Sequence, residues 1–199
     1  LRADSAAMTA IDWAGAHWTN EPTRAERVGE GMRVLAAEGS DAWRHTAYGF
    51  VHDTEHALLA PFEVGTAMEV EFAADFAGDY DQAGIFVSAG PERWVKTGVE
   101  FADGVLGAGA VVTNVVSDWS VAPVPQWQGR RILVRVSRWP DALIVRIGAD
   151  GEEPRLVRIV PFPGELVASA GPLVSAPTRA DLEVLFTTWR QVAADTAIH

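Results

Sequence analysis

Apolar and polar residues alternate with a period of two along most of the chain, and the 3.6-residue period of an amphipathic helix is hard to find. In residues 66–72, Met68, Val70 and Phe72 fall on one side and Glu69 and Glu71 on the other, which predicts a strand with one core face and one water face. Ile132, Val134 and Val136 oppose Arg135 in the same way. After Trp139-Pro140-Asp141, which reads as a turn, the pattern returns over 143–147. Asp150-Gly151 predicts a type I′ hairpin leading into a strand over 155–160. Further strands are expected at 32–36, 49–51, 57–59, 84–87, 95–101, 110–116 and 182–186. The Gly- and Ala-rich run 104–109 reads as a loop or flexible hairpin tip, and the segment from Gln191 onward as a frayed tail or short helix. About a dozen short strands separated by Gly, Pro, Asp and Asn form the pattern of an all-β antiparallel sandwich or barrel. No linker, composition shift or internal repeat divides the sequence, so a single domain over 1–199 is expected.

Composition narrows the function classes. A chain of 199 residues, 48% hydrophobic, can bury a large core without staples, and with no cysteine it has neither disulfides nor a thiolate site. A net charge of −11 with one lysine, Lys96, argues against a nucleic-acid partner, because phosphate backbones need clustered Lys and Arg. No apolar stretch approaches the roughly 20 residues that span a bilayer, so no membrane partner is expected. Leu1-Arg2-Ala3-Asp4 lacks the apolar run of a signal peptide, and the expected location is the cytoplasm.

The region from Tyr80 to Ser120 carries most of the candidate chemistry. Strict alternation places Trp94, Lys96, Gly98 and Glu100 on one face and Val95, Thr97, Val99 and Phe101 on the other, which reads as core. Successive members of the first row lie about 7 Å apart, since two strand residues rise by that much. Such a row suits a polar binding surface, with Trp94 stacking on a sugar or planar ligand and Lys96 and Glu100 bonding its hydroxyls. It equally suits a solvated sheet face with a Lys–Glu pair. Ser117-Asp118-Trp119-Ser120 reads either as a turn or as the mouth of the same face. Trp43, Arg44, His45 and Tyr48 form a second cluster that either lines a site or caps one end of the sandwich. The H-D-x-x-H spacing of His52, Asp53 and His56 invites a metal reading, but strand residues four apart do not form the ligand pair they would on a helix and a third ligand is not evident. Neither a metal nor a cofactor is expected: G-x-S-x-G, P-loop, G-x-G-x-x-G and H-E-x-x-H signatures are all missing.

Several segments together carry a family resemblance. Trp18-Thr-Asn-Glu-Pro22, Asp41-Ala-Trp-Arg-His-Thr-Ala-Tyr-Gly-Phe50, Tyr80-Asp-Gln-Ala-Gly84, Trp94-Val-Lys-Thr-Gly-Val-Glu100, Val112-Thr113 and Ser117-Asp-Trp-Ser120 occur in order. Over roughly residues 18–188 the chain resembles a family of small concanavalin A-like domains of largely unassigned function, whose fungal member is named for regulation of enolase. The resemblance implies a two-sheet antiparallel jelly roll of the lectin and glucanase type. It also implies a concave face on which Trp43, Arg44, Tyr48, Asp81, Gln82, Trp94, Lys96, Glu100, Thr113, Asp118 and Trp119 gather. The related glucanases carry both catalytic carboxylates in an E-x-D-x-x-E strand motif that this sequence lacks; only Glu100 and Asp103 stand in that neighbourhood. Thr54-Glu55 and the 104–109 run depart from the family pattern. The expected ligand is a carbohydrate or sugar-like small molecule. The alternatives are a glycoside hydrolase or lyase using Glu100 or Asp81 as acid/base, and a regulatory module acting on a metabolic enzyme.

Overall fold

The computed structural model describes residues 9–199, and it is an antiparallel sandwich of two large sheets. The first sheet runs, edge to edge, through Arg155–Pro161, Ala142–Ala149, Ile132–Arg138, Thr66–Ala74, Glu183–Ala193, Gly31–Leu35 and Arg24–Val28, with Thr9–Ala10 paired alongside Glu183–Ala193. The second runs through Val116–Pro123, Val105–Asn114, Arg93–Ala102, Gln82–Ser88, Ser169–Ser175, His56–Pro61 and His17–Trp18. Strands distant in sequence lie side by side in both, which is the jelly-roll arrangement. A separate two-stranded hairpin pairs Ala42–Arg44 with Val51–Asp53.

The alternation read from the sequence places the core. Met68, Val70 and Phe72 face Ile85, Val87, Val95 and Val99 across the sandwich, with Val134, Val136, Val145 and Phe186 in the same buried cluster. Each such side chain contributes about 1.5–3 kcal/mol on full burial. The polar side of the first sheet is drier than expected. Glu69, expected in water, is sealed between the guanidinium groups of its cross-strand neighbours Arg135 and Arg190.

Some local readings are corrected. The Ala149–Glu152 turn keeps its hydrogen bond (Glu152 N to Ala149 O, 2.9 Å), but only Gly151 adopts a positive φ, so the turn is not type I′. Gly107 and Gly109 lie inside the strand Val105–Asn114, and the reversal falls at Asp103 and Gly104, both at positive φ. Ser117–Ser120 is strand rather than turn, and the last long strand continues through Gln191 to Ala193. Beyond it Asp195 is held by Arg135 and Arg146. Among the described residues no helix is long and apolar enough to cross a membrane.

Candidate functional site

Parity places Trp94, Lys96, Gly98 and Glu100 on the face of the second sheet turned away from the main core, and register supplies their neighbours. Glu100 lies between Gln82 and Gly107, Gly98 between Gly84 and Gly109, Lys96 between Phe86 and Val111, and Trp94 between Ser88 and Thr113. The hairpin 42–53 folds over one end of this face. Ala42, Trp43, Ala57, Leu59, Phe86, Trp94, Val111 and Leu173 form a second buried apolar cluster beneath it. Trp94 is therefore only 5% exposed and stacks on Phe86 at 5.3 Å. Arg44 pins the hairpin down: its backbone N–H donates to Ser117 Oγ (2.9 Å), its Nε to the Val115 carbonyl (3.0 Å), and its guanidinium pairs with Glu92 at 2.7 Å.

Beside the hairpin opens a pocket of about 290 Å³. Its walls are aromatic. Trp43 meets Tyr48 edge-on at 5.7 Å, Tyr48 stacks on Phe50 at 5.3 Å, and Phe50 meets His52 edge-on at 4.4 Å. Tyr80 and Trp119 complete the lining. Left-handed backbone at His45, Ala47 and Gly49 turns the hairpin tip that presents Tyr48 and Phe50. The floor is polar. Asp41 Oδ1 accepts from its neighbour Ala42 N–H (2.8 Å), Gln82 Nε2 (3.2 Å) and Lys96 Nζ (2.7 Å). Gln82 Nε2 also donates to the Tyr80 carbonyl at 3.0 Å. Glu100 lines the same floor and meets no protein donor among the described residues.

Burial pushes the Glu100 carboxyl up to about 7, helped by the nearby Asp41 charge and opposed by Lys96. The folded chain thus binds this proton more tightly than the unfolded one, for which 4.5 is the ordinary value. Stability falls as the pH rises through that interval, and the full cost is present above about pH 7. Glu100→Gln removes the ionisation. Urea unfolding at pH 8 is expected to find the variant more stable than the parent by about 2 kcal/mol, with the difference vanishing near pH 4.5. Equal stability at pH 8 would refute a strained carboxylate.

Six of the residues expected on the face line this pocket: Trp43, Tyr48, Gln82, Lys96, Glu100 and Trp119. Five stand elsewhere. Arg44 clamps the hairpin and Trp94 lies under it. Thr113 shares a buried hydroxyl contact with Ser117 at 2.8 Å. Asp81 is fully buried at the entrance to its strand, accepting from the Ala77 and Gly78 N–H groups and paired with Arg179 at 2.7 Å. Asp118 points to the opposite side from Trp119 and pairs with Arg158 of the first sheet at 2.9 Å. Asp41, Phe50, His52 and Tyr80 also line the pocket, although the sequence pattern does not assign them to the face. The two histidines of the H-D-x-x-H spacing have separate settings. His52 is part of the aromatic wall, whereas the His56 ring lies between the Ala37 N–H (3.0 Å to Nε2) and the Asn20 carbonyl (3.0 Å to Nδ1). Both nitrogens of His56 are thereby occupied by backbone, with the proton on Nδ1, and burial pushes its pKa down.

Comparison with known proteins gives this arrangement a lineage. Residues 18–193 match a family described as "Protein of unknown function (DUF1349)". The chain belongs to that family. A curated relative, "Regulation of enolase protein 1" of Saccharomyces cerevisiae, is 34% identical over 178 residues, covering 88% of each chain. A crystal structure of a functionally unknown protein from the same yeast superposes with a TM-score of 0.86 at 31% identity, covering 93% of this chain and all of that one. A xylan β-1,4-xylosidase from Bacillus halodurans matches at a TM-score of 0.67 and 12% identity, over 84% of this chain but 33% of its own; this likeness is one of fold. Within the DUF1349 fold, the hairpin 42–53 carries Trp43, Tyr48, Phe50 and His52 of the pocket wall, and the strand 93–102 carries Lys96 and Glu100 of its floor.

Proposed function

We propose that this protein binds a carbohydrate or sugar-like small molecule in the pocket between the hairpin 42–53 and the sheet. The observation that carries the reading is a polar floor enclosed by aromatic walls: Asp41, Gln82, Lys96 and Glu100 below, Trp43, Tyr48, Phe50, Tyr80 and Trp119 around. Aromatic faces pack against the apolar C–H face of a sugar ring while polar groups fix its hydroxyls. A volume of about 290 Å³ suits one or two sugar rings. The test is a calorimetric and glycan-array screen of the parent and Trp119→Ala. Trp119 is 40% exposed and outside both buried clusters, so its loss should leave the fold intact. Binding weakened about tenfold or more in the variant supports the reading; failure of the parent to bind any saccharide, or equal binding by the variant, overturns it.

A second reading is a glycoside hydrolase or lyase, favoured by the carboxyl of Glu100 held near neutrality beside Lys96. Its partner carboxylate would be Asp41, since Asp81 is buried behind Arg179 and lines no part of the pocket. Turnover of any discovered substrate that persists in Glu100→Gln counts against it. A regulatory role toward a metabolic enzyme rests on the name of the yeast relative, and recovery of a stable enzyme partner in a pull-down would be its support.

A further inference from the structure

Three of the four polar floor groups are already bonded to one another. Lys96 and Gln82 both spend an N–H on Asp41 Oδ1, at 2.7 and 3.2 Å. Lys96 is 5% exposed and is the only lysine in the chain, and no arginine lines the pocket. Glu100 is left over, a desolvated carboxyl with no described donor. A ligand that brought only acceptors would leave it unpaired, and an anionic ligand would meet Asp41 and Glu100 with the single cation already engaged. Lys96 keeps two further N–H groups, but Asp41 Oδ2, the Gln82 side-chain oxygen and both Glu100 oxygens have no donor among the described contacts. The floor therefore carries more acceptors than donors and suits a ligand that brings a donor, preferably with a positive charge. The aromatic faces around it attract a cation further, through the negative face of each ring. The overall charge of −11 draws cations toward the protein.

Resting on the reading that this pocket holds a sugar-like ligand, we infer that its ligand carries a protonated amine, as in an amino sugar, with the ammonium seated against Glu100 and the ring against Tyr48 and Trp119. The ammonium replaces the lost hydration of the carboxylate and supplies three donors to a floor otherwise short of them. Binding then favours ionised Glu100, so the complex releases a proton where the free protein holds one. The charged and titratable groups that share the pocket with Glu100 are Lys96 on its own strand, Asp41 before the hairpin, Tyr80 before the neighbouring strand, and Tyr48 and His52 on the hairpin.

Paired probes test this: 2-aminoethyl glycosides of common hexoses and pentoses against their 2-hydroxyethyl counterparts, titrated calorimetrically into the full chain. The alkylammonium stays protonated throughout the range from pH 5.5 to 8. At pH 8 the amine of at least one pair should bind about tenfold tighter than its hydroxyl counterpart, and at pH 5.5 the preference should shrink to about threefold or less. In Glu100→Gln the ratio should fall to about one, with folding confirmed by its melting curve. A preference that survives Glu100→Gln, including one set by His52, overturns the inference. Titrations near pH 7 in buffers of differing ionisation enthalpy give a second readout, expected to show net proton release on amine binding; no release overturns the inference even if the variant binds nothing. Hydroxyl glycosides binding as well as amines defeats this inference alone, whereas silence from both series defeats the carbohydrate reading as well.

Discussion

Replacing Gly98 with alanine is expected to destabilise the fold by about 4 kcal/mol, near the upper end for a single substitution. Gly98 sits at φ +154° in the middle of a strand, and a Cβ there would lie 2.1 Å from the Ala83 carbonyl oxygen and 2.7 Å from the Gly84 Cα. Those are backbone atoms of the adjoining strand, so relief requires the sheet itself to part. The registered glycines on either side are in the same position: a Cβ on Gly84 would lie 1.9 Å from the Thr97 oxygen, and one on Gly109 2.0 Å from the Ser120 oxygen. This glycine row crosses the floor between Lys96 and Glu100 and leaves a notch of about 30 Å³ where side chains would otherwise stand. Urea unfolding of Gly98→Ala against Gly15→Ala separates the effect from a generic glycine penalty. A Cβ on Gly15 meets nothing closer than 3.7 Å, and its substitution should change stability by less than about 0.5 kcal/mol. Comparable losses for the two would show that the row is not sterically closed.

Lys96→Met is expected to cost about 3 kcal/mol at pH 8. It removes the cation from a pair whose side chains are 6% and 21% exposed, leaving Asp41 and Glu100 facing each other without a counter-charge. The direction with pH identifies the cause. Lys96 holds the Glu100 carboxyl down, so without it the group rises further and stays protonated to higher pH. The deficit should therefore shrink as the pH is lowered toward 5, where Glu100 is protonated in both proteins. A double-mutant cycle with Asp41→Asn measured by unfolding at pH 8 should return a coupling energy of about 1–3 kcal/mol. A coupling near zero would mean that the 2.7 Å contact contributes only packing.

The period-two pattern gave most of the long strands, though neither Ser169–Ser175 nor the greater part of Val116–Pro123, and the correct face for Lys96, Gly98 and Glu100, because parity is a local property of a strand. Short edge elements such as His17–Trp18 and Arg24–Val28 were not legible, since they carry little alternation and are held by pairing alone. The floor was partly legible for a different reason. Glu100 meets Gln82 through register, which depends on where the turn between the strands falls rather than on either strand's composition. Trp94 has the parity of a surface residue and the burial of a core one, because the hairpin covering it comes from more than forty positions upstream. Asp118 and Trp119 are neighbours in sequence and so belong to opposite faces once the segment is a strand. Asp41, the acceptor that organises the floor, lies in a segment whose sequence is dominated by aromatic residues, and its role follows only from its contacts with Lys96 and Gln82, both far away in the chain.

Of the eight tryptophans, five are buried, Trp18 and Trp139 are half-buried, and Trp119 alone is exposed, at the mouth of the pocket. The indole that a dissolved collisional quencher can reach most readily is therefore the one that a bound molecule would cover. Occupancy becomes visible as a loss of quenchable emission and a shift to shorter wavelength, so the protein is its own optical indicator and a ligand can be sought without labelling either party.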